Sequence, residues 1–285
     1  MSRTGIIGGS GLYDIEGLKN IERIHLDTPF GSPSDEFMSG NLEGKEIVFL
    51  PRHGRGHKIL PGELNYRANI YAMKKLGVER IISVSAVGSL KEEVKPQDFV
   101  LADQFVDRTN QARKTTFFGQ GVVAHIGFAE PTCPVLSETL FEAAEGLGLT
   151  IHPKGTYLNM EGPAFSTRAE SYLYKSWGMD VIGMTNMPEA RLAREAEICY
   201  ASLAMVTDYD CWHAKEETVS VDLIIQNMRK NIQNARKLIK SAITKIPQKR
   251  DCPCAQALKD AIITSPEEIS AEARKRLDII IGKYI

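Results

Sequence analysis

The chain has no excess of either charge: 35 Lys+Arg stand against 36 Asp+Glu in 285 residues, a formal net charge of −1. A nucleic-acid binder needs a basic stripe to displace phosphate counterions, so that class of partner is excluded. No uninterrupted apolar run of about 18 residues occurs, so no membrane-spanning helix is expected. The opening stretch, Met1 to Gly9, holds too short an apolar segment for a secretory signal, and a cytoplasmic location is expected. Cysteine is scarce and odd in number, five in all, and Cys133, Cys199 and Cys211 are scattered, which suits reduced thiols better than a disulfide framework. Cys252 and Cys254 flank Pro253 closely enough for a strained disulfide or metal ligation. A four-ligand zinc site lacks its second pair nearby in sequence, so no metal site is expected. With 43% hydrophobic and 25% charged residues the composition is that of an ordinary globular protein.

Apolar runs of strand length alternate with amphipathic segments of helical spacing, the pattern of an α/β protein. Strands are predicted over Thr4–Ile7, Glu46–Leu50, Arg80–Val84, Phe99–Ala102, Gly155–Asn159, Asp180–Gly183 and Ile198–Val206. Helices fit Asn65–Leu76, Pro134–Leu147, Arg168–Trp177 and Glu189–Glu197, and a long one should start near Ser220 and end before Pro247. One domain over residues 1–285 is expected, with a helical appendage from about 247. Strand after strand ends in a loop rich in Gly, Ser or Thr, and ligands of α/β sheets bind at strand C-termini.

The loop Gly8-Gly9-Ser10-Gly11 fails the dinucleotide fingerprint, because counting from Gly9 the sixth position is Asp14. No Gly-Lys-Ser/Thr follows it, so it is not the phosphate loop of nucleotide triphosphatases either. It remains a turn with bare amides and a hydroxyl, able to cradle a small anion or simply to join two elements. Arg52 and His53 follow a buried strand, and an arginine there offers a forked donor suited to phosphate oxygens. His53 and His57 are four apart, but Gly54 and Gly56 make a helical metal pair improbable. Ser85-Ala86 and Thr185 occupy comparable positions after two other strands and bring a hydroxyl or backbone donor each.

The apolar run ending Thr207-Asp208-Tyr209-Asp210 closes on two acids that an extended chain points to the same side. A glycosidase pair would come from different elements about 5 Å or more apart. A metal site would want further ligands. Purine recognition fits better: one ionised acid accepts from the 6-amino group, and a second, proton-sharing acid meets N7. Two solvated acids in a turn are the alternative.

With these residues in view, the chain resembles the 5′-methylthioadenosine phosphorylases of the purine nucleoside phosphorylase superfamily through about Ile243. The similarity lies in GIIGGSGL, DTPFG, RHGRGH, NYRANI, SAVGSL, DQFVDRT, EGPAFSTRAES, MTNMPEA and ICYASLAMVTDYDCW. A Cys-x-Cys pair in the tail also occurs in some thermophilic relatives. The resemblance implies a central mixed, distorted barrel-like sheet flanked by helices. It implies phosphate held by Ser10, Arg52, His53, Ser85, Ala86 and Thr185. The purine would meet Asp208 and Asp210, with Phe165 against its face and Met184 by the ribose. Ser166 and Val221 stand where 6-oxopurine enzymes carry a glutamate and a histidine, which points to an aminopurine and an apolar 5′ substituent. Asn186 replaces a second threonine beside Thr185. The implied reaction is phosphorolysis of methylthioadenosine to adenine and 5-methylthioribose 1-phosphate, with Asp208 as catalytic acid and no metal or organic cofactor. The implied assembly is a homotrimer or homohexamer in which His125 completes a neighbour's pocket. The rivals are an adenosine, inosine, guanosine or methylthioinosine phosphorylase, a non-catalytic nucleoside-binding protein and, disfavoured by its glycine spacing, a nicotinamide-dependent oxidoreductase.

Overall fold

The computed structural model describes residues 3–9, 11–12, 14–110, 112–213 and 221–285, without the side chains of 221–224. Ser10, the Ser220 cap and the Val221 side chain therefore lie outside the described residues. Among the described residues the strands are β1 (Arg3–Gly8), β2 (Lys19–Ile24), β3 (Phe37–Leu42), β4 (Lys45–Pro51), β5 (Val78–Ser89), β6 (Phe99–Ala102), β7 (Gln104–Arg108), β8 (Ile151–His152), β9 (Thr156–Met160), β10 (Val181–Gly183) and β11 (Cys199–Tyr209). The α-helices are α1 (Tyr66–Lys75), α2 (Pro134–Glu145), α3 (Arg168–Ser176), α4 (Asn186–Glu195), α5 (Val221–Lys245) and α6 (Ala271–Ile281). No helix among them is long and apolar enough to cross a membrane.

All the strands join one mixed sheet in the order β2-β3-β4-β1-β5-β10-β9-β7, and β11 branches from β5 to carry β6 and then β8. The branch follows from the sequence of β5 and β11. Both are buried on both faces, as expected of strands covered on each side. Strand β5 extends five residues beyond the predicted Val84 end. The stretch Ser85–Ser89, expected as a loop, is strand because β11 pairs it from Ala204↔Ser85 to Tyr209↔Ser89. Partners on one side, and β10 on the other, override the weak strand preference of Gly and Ser.

Helix α5 lies against α2 and β11. It buries Ala235, Leu238, Ile239, Ala242 and Ile243 completely, at the i, i+3, i+4 spacing of one helical face. Each such Leu or Ile contributes about 1.5–3 kcal/mol on leaving water. Helix α3 begins with a capping box, Thr167 accepting from the Glu170 N–H while Glu170 accepts from the Thr167 N–H. The C-terminal segment shares a hydrophobic cluster with the body: Leu258, Ile269, Leu277 and Ile281 pack with residues of α1 and α4. The connector before it is held by Arg80, whose Nη2 donates to Pro247 O and Lys249 O at 2.8 and 3.1 Å.

The fold also corrects the view of the cysteines as scattered. Cys133, Cys199, Cys252 and Cys254 place all their Sγ atoms within 4.8 Å of one another. The second pair that the tail cysteines lack in sequence is supplied by the N-cap of α2 and the first residue of β11.

Candidate active site

The site forms where β5 changes neighbours. Up to Ser83 it runs beside β1, and at Gly88 and Ser89 β10 has replaced β1 on that side. The crevice between the two departing strand ends is the switch point at which α/β sheets bind ligands.

Arg52 enters this crevice from the end of β4, its backbone N–H bonded to Gly8 O at 2.9 Å. The guanidinium donates to Val84 O, Ile7 O and Ser83 Oγ at 2.8, 3.3 and 2.7 Å. Its fork, Nε with Nη2, donates to Glu189 on α4 at 2.9 and 3.0 Å. Glu189 also accepts from Ser83 Oγ at 2.6 Å and Tyr200 OH at 3.0 Å. Arg52 is 2% exposed and Glu189 1%. Burial alone would lower the guanidinium pKa, and Glu189 more than reverses that, so Arg52 stays charged. The fork expected for phosphate is thus held by Glu189. Among the described residues, the second N–H of Nη1 is the one guanidinium donor left for an anion.

His53 stacks on His57 with ring centroids 4.4 Å apart and planes at 20°. Its Nδ1–H donates to Ile59 O at 2.8 Å. Burial pushes its pKa down to about 4, opposed by that carbonyl and reinforced by Arg52 and His57. The imidazole is therefore neutral near pH 7 and carries its lone pair on Nε2.

Ser85 and Ala86 sit inside β5, opposite Ala204 and Met205. Ser85 Oγ lies 3.4 Å from Asn186 Oδ1, and Asn186 Nδ2 donates to Ser202 Oγ. Asn186 is fully buried, so its replacement of a threonine serves to brace Ser85 against β11. Thr185 is buried at the N-cap of α4, yet its side chain makes no capping bond. Met184 is half-buried just before it. Arg113 pins this loop, donating from Nη1 to Met184 O and Met187 O at 2.7 and 2.9 Å while Nε pairs with Glu161 at 3.0 Å. Gly183 admits Tyr157 beneath the loop: a Cβ there would stand 1.9 Å from the tyrosine hydroxyl.

The two acids close over the far end of β5. Asp208 faces Gly88 at a bulge in β11. A Cβ on Gly88 would lie 3.5 Å from both Asp208 Oδ2 and Asp210 Cβ, so the expected same-side placement holds. Thr207 Oγ1 donates to Asp208 Oδ1 at 2.5 Å. Asp210 is buried, and its Oδ2 has no hydrogen-bond partner among the described residues. Burial raises its pKa, against the opposing pull of Ser171, the Cys211 N–H and Ser166. A buried, unpaired carboxyl oxygen is costly unless a ligand supplies its donor. Ser166 is therefore at this end too. From Ser85 to Gly88 is three residues, about 10 Å at ~3.3 Å each, the span of a small nucleoside with its anion.

Phe165 and His125 are both exposed in the single chain. Phe165 is 73% exposed. His125 sits on a segment anchored by its own N–H to Ala261 O at 2.8 Å. The sequence reading missed Glu189, Ser83, Tyr200 and Arg113. The one signal for Glu189 was indirect: an arginine buried behind a strand requires a counter-charge.

The chain matches the model of the phosphorylase superfamily over residues 3–244. It is 61% identical to the S-methyl-5′-thioadenosine phosphorylase of Geobacter sulfurreducens, covering 99% of this chain and 98% of that one. It is 53% identical to that of Thermosynechococcus vestitus, over 100% and 99% of the two chains. A crystal structure of a methylthioadenosine phosphorylase from an Antarctic soil metagenomic library superposes with TM-score 0.94 at 49% identity, covering 98% of each chain. The Schistosoma mansoni methylthioadenosine phosphorylase in complex with adenine superposes with TM-score 0.85 at 38% identity, covering 91% of this chain and 96% of that one. The chain belongs to the phosphorylase superfamily and, within it, to the S-methyl-5′-thioadenosine phosphorylase family.

Proposed function

We propose that the protein cleaves S-methyl-5′-thioadenosine with inorganic phosphate, giving adenine and S-methyl-5-thio-α-D-ribose 1-phosphate. The observation that carries this reading is that two unlike groups of side chains flank the two ends of one stretch of β5, Ser85 to Gly88. A cationic, hydroxyl-lined end lies at Arg52, Ser85 and Thr185, and a paired-acid end lies at Asp208 and Asp210 about 10 Å away by the ~3.3 Å strand rise. Relatives and solved neighbours bearing the methylthioadenosine phosphorylase name support the same reaction.

In this mechanism Nη1 of Arg52, the hydroxyls of Ser10, Ser85 and Thr185 and the Ala86 backbone hold phosphate beneath the ribose. The neutral His53 presents an acceptor at Nε2, which suits a protonated phosphate oxygen. Met184 packs against the ribose. Asp210 accepts from the 6-amino group, and Asp208 shares a proton with N7, neutralising the purine as its bond to C1′ lengthens. Phosphate steadies the cationic sugar and then attacks it; holding both reactants in one crevice supplies much of the rate. No step calls on a metal or organic cofactor. Ser166 and Val221, in place of polar partners for a 6-oxo group and a 5′-hydroxyl, favour the methylthio aminopurine.

The exposed Phe165, Tyr172, Leu173 and Trp177, with His125 and Val123 on a second exposed segment, support a homo-oligomer, a trimer or hexamer, in which these groups complete neighbouring pockets. Free thiols are consistent with a cytoplasmic enzyme. Release of adenine from methylthioadenosine, adenosine, inosine and methylthioinosine, each with and without phosphate, tests the assignment. Phosphate-dependent preference for methylthioadenosine is expected; preference for inosine, or cleavage with water alone, overturns it.

A further inference from the structure

Four thiols meet at the end of β11 remote from the acids. Cys199 opens β11, Cys133 caps α2, and Cys252 and Cys254 come from the start of the C-terminal segment around a short 3-10 helix, Pro253–Gln256. Cys133, Cys199 and Cys254 are buried and Cys252 is partly so, within a cluster of apolar side chains. Cys199 Sγ and Cys252 Sγ are 3.4 Å apart, and all the sulfurs lie within 4.8 Å of one another. Two separate disulfides would need only two close pairs, with sulfurs about 2.05 Å apart in each. Mutual approach of all four is the arrangement of a tetrahedron. With zinc–sulfur bonds of about 2.3 Å, the sulfurs of a tetrahedral site stand about 3.8 Å apart, inside the spread found here.

We propose that Cys133, Cys199, Cys252 and Cys254 bind one zinc ion as a closed four-thiolate site that clips the C-terminal segment to the sheet. A thiophilic, redox-inert ion with tetrahedral preference suits four sulfurs in an apolar shell. Four thiols lose their protons on binding, giving a complex of net charge −2. The helix N-terminus at Cys133 favours the negative sulfur there. The role is structural, because four protein ligands leave no open position. Nine residues of strand, about 30 Å at ~3.3 Å each, separate Cys199 from Asp208. The proposal stands independently of the phosphorolysis reading.

The test uses the full chain purified anaerobically under reductant, dialysed against chelator and analysed for metals by plasma mass spectrometry. About one tightly held zinc per chain is expected, falling to background in Cys252→Ser/Cys254→Ser. Growth on cobalt should yield the intense visible bands of tetrahedral cobalt–thiolate. Alkylation of a second preparation, purified without reductant and then denatured with chelator, should modify all five cysteines. Metal-free or iron-loaded wild-type protein overturns the proposal, as does alkylation of Cys211 alone, which would mean two disulfides. Where the double variant is insoluble, the metal content and alkylation of the wild-type chain decide the question by themselves.

Discussion

Glu189→Gln offers the sharpest test of the physical picture of the crevice. The carboxylate faces the Arg52 fork at 2.9 and 3.0 Å, with both groups almost wholly buried. An amide keeps the shape but removes the counter-charge. Its Oε1 can still accept from Ser83 or Tyr200, yet its NH2 then faces an arginine N–H, donor against donor. Breaking one side of a buried ion pair costs about 3–5 kcal/mol. That is a large share of the roughly 5–15 kcal/mol by which domains are stable. At about 2–4 °C per kcal/mol for large domains, the midpoint should fall by roughly 6–20 °C in phosphate-free buffer. Tyr200→Phe, which removes one hydrogen bond and no charge, should cost only about 1 kcal/mol. The unpaired guanidinium should also bind phosphate at least as well as the parent does. Saturating phosphate at about 100 times its dissociation constant would then return about 2.7 kcal/mol. Thermal and urea melts with and without phosphate measure both arms. A Glu189→Gln midpoint no lower than that of Tyr200→Phe, or one that saturating phosphate does not raise, would refute the reasoning.

Asp208→Asn should cut adenine release by about 10²–10⁴, the share of a general acid, and shift relative preference toward 6-oxopurines, because an amide can donate to the 6-oxo group. Steady-state kcat/KM on methylthioadenosine and methylthioinosine reads both, and equal parent and variant values would remove Asp208 from the mechanism. Glu195 accepts from Thr116 Oγ1 and the Phe117 N–H, but burial raises its pKa to about 7. A folded pKa above the unfolded one gives stability that is full below pH ~4.3 and lost as pH rises to about 7, at most about 4 kcal/mol. Glu195→Gln, which mimics the protonated acid, should flatten urea midpoints between pH 5 and pH 8; a parent whose midpoint rises over that window contradicts the sign. His53 has the opposite linkage: its folded pKa of about 4 makes its share present above pH ~6.5 and lost as pH falls toward 4. Its ring-proton NMR shift should stay flat from pH 8 to about 5, and a midpoint near 6.5 would show the imidazole to be solvated.

What could be read from the sequence, and what could not, separates along one physical line. Strands β1, β4, β6 and β11 were legible because buried strands need continuous apolar runs, and Arg52 and Asp208 were legible because charge directly after such a run is out of place. Strand β2 was not, since KNIERI is nearly all exposed and its pairing with β3 rests on backbone bonds that leave no apolar signature. The Gly-rich end of β5 reads as loop until β10 and β11 are known to flank it. Partnerships were hidden for the same reason. Glu189 lies 137 residues from Arg52, and nothing local tells it from a solvated helix acid. Cys199 and Cys252 are 53 residues apart, and the route of β11 with the tethering of the tail by Arg80 and Arg250 brings them together. Local sequence thus exposes groups that conflict with their surroundings, whereas the groups that resolve the conflict arrive through topology. A buried arginine without a visible counter-ion, or a pair of cysteines without a visible second pair, is then best treated as a demand that the fold must meet.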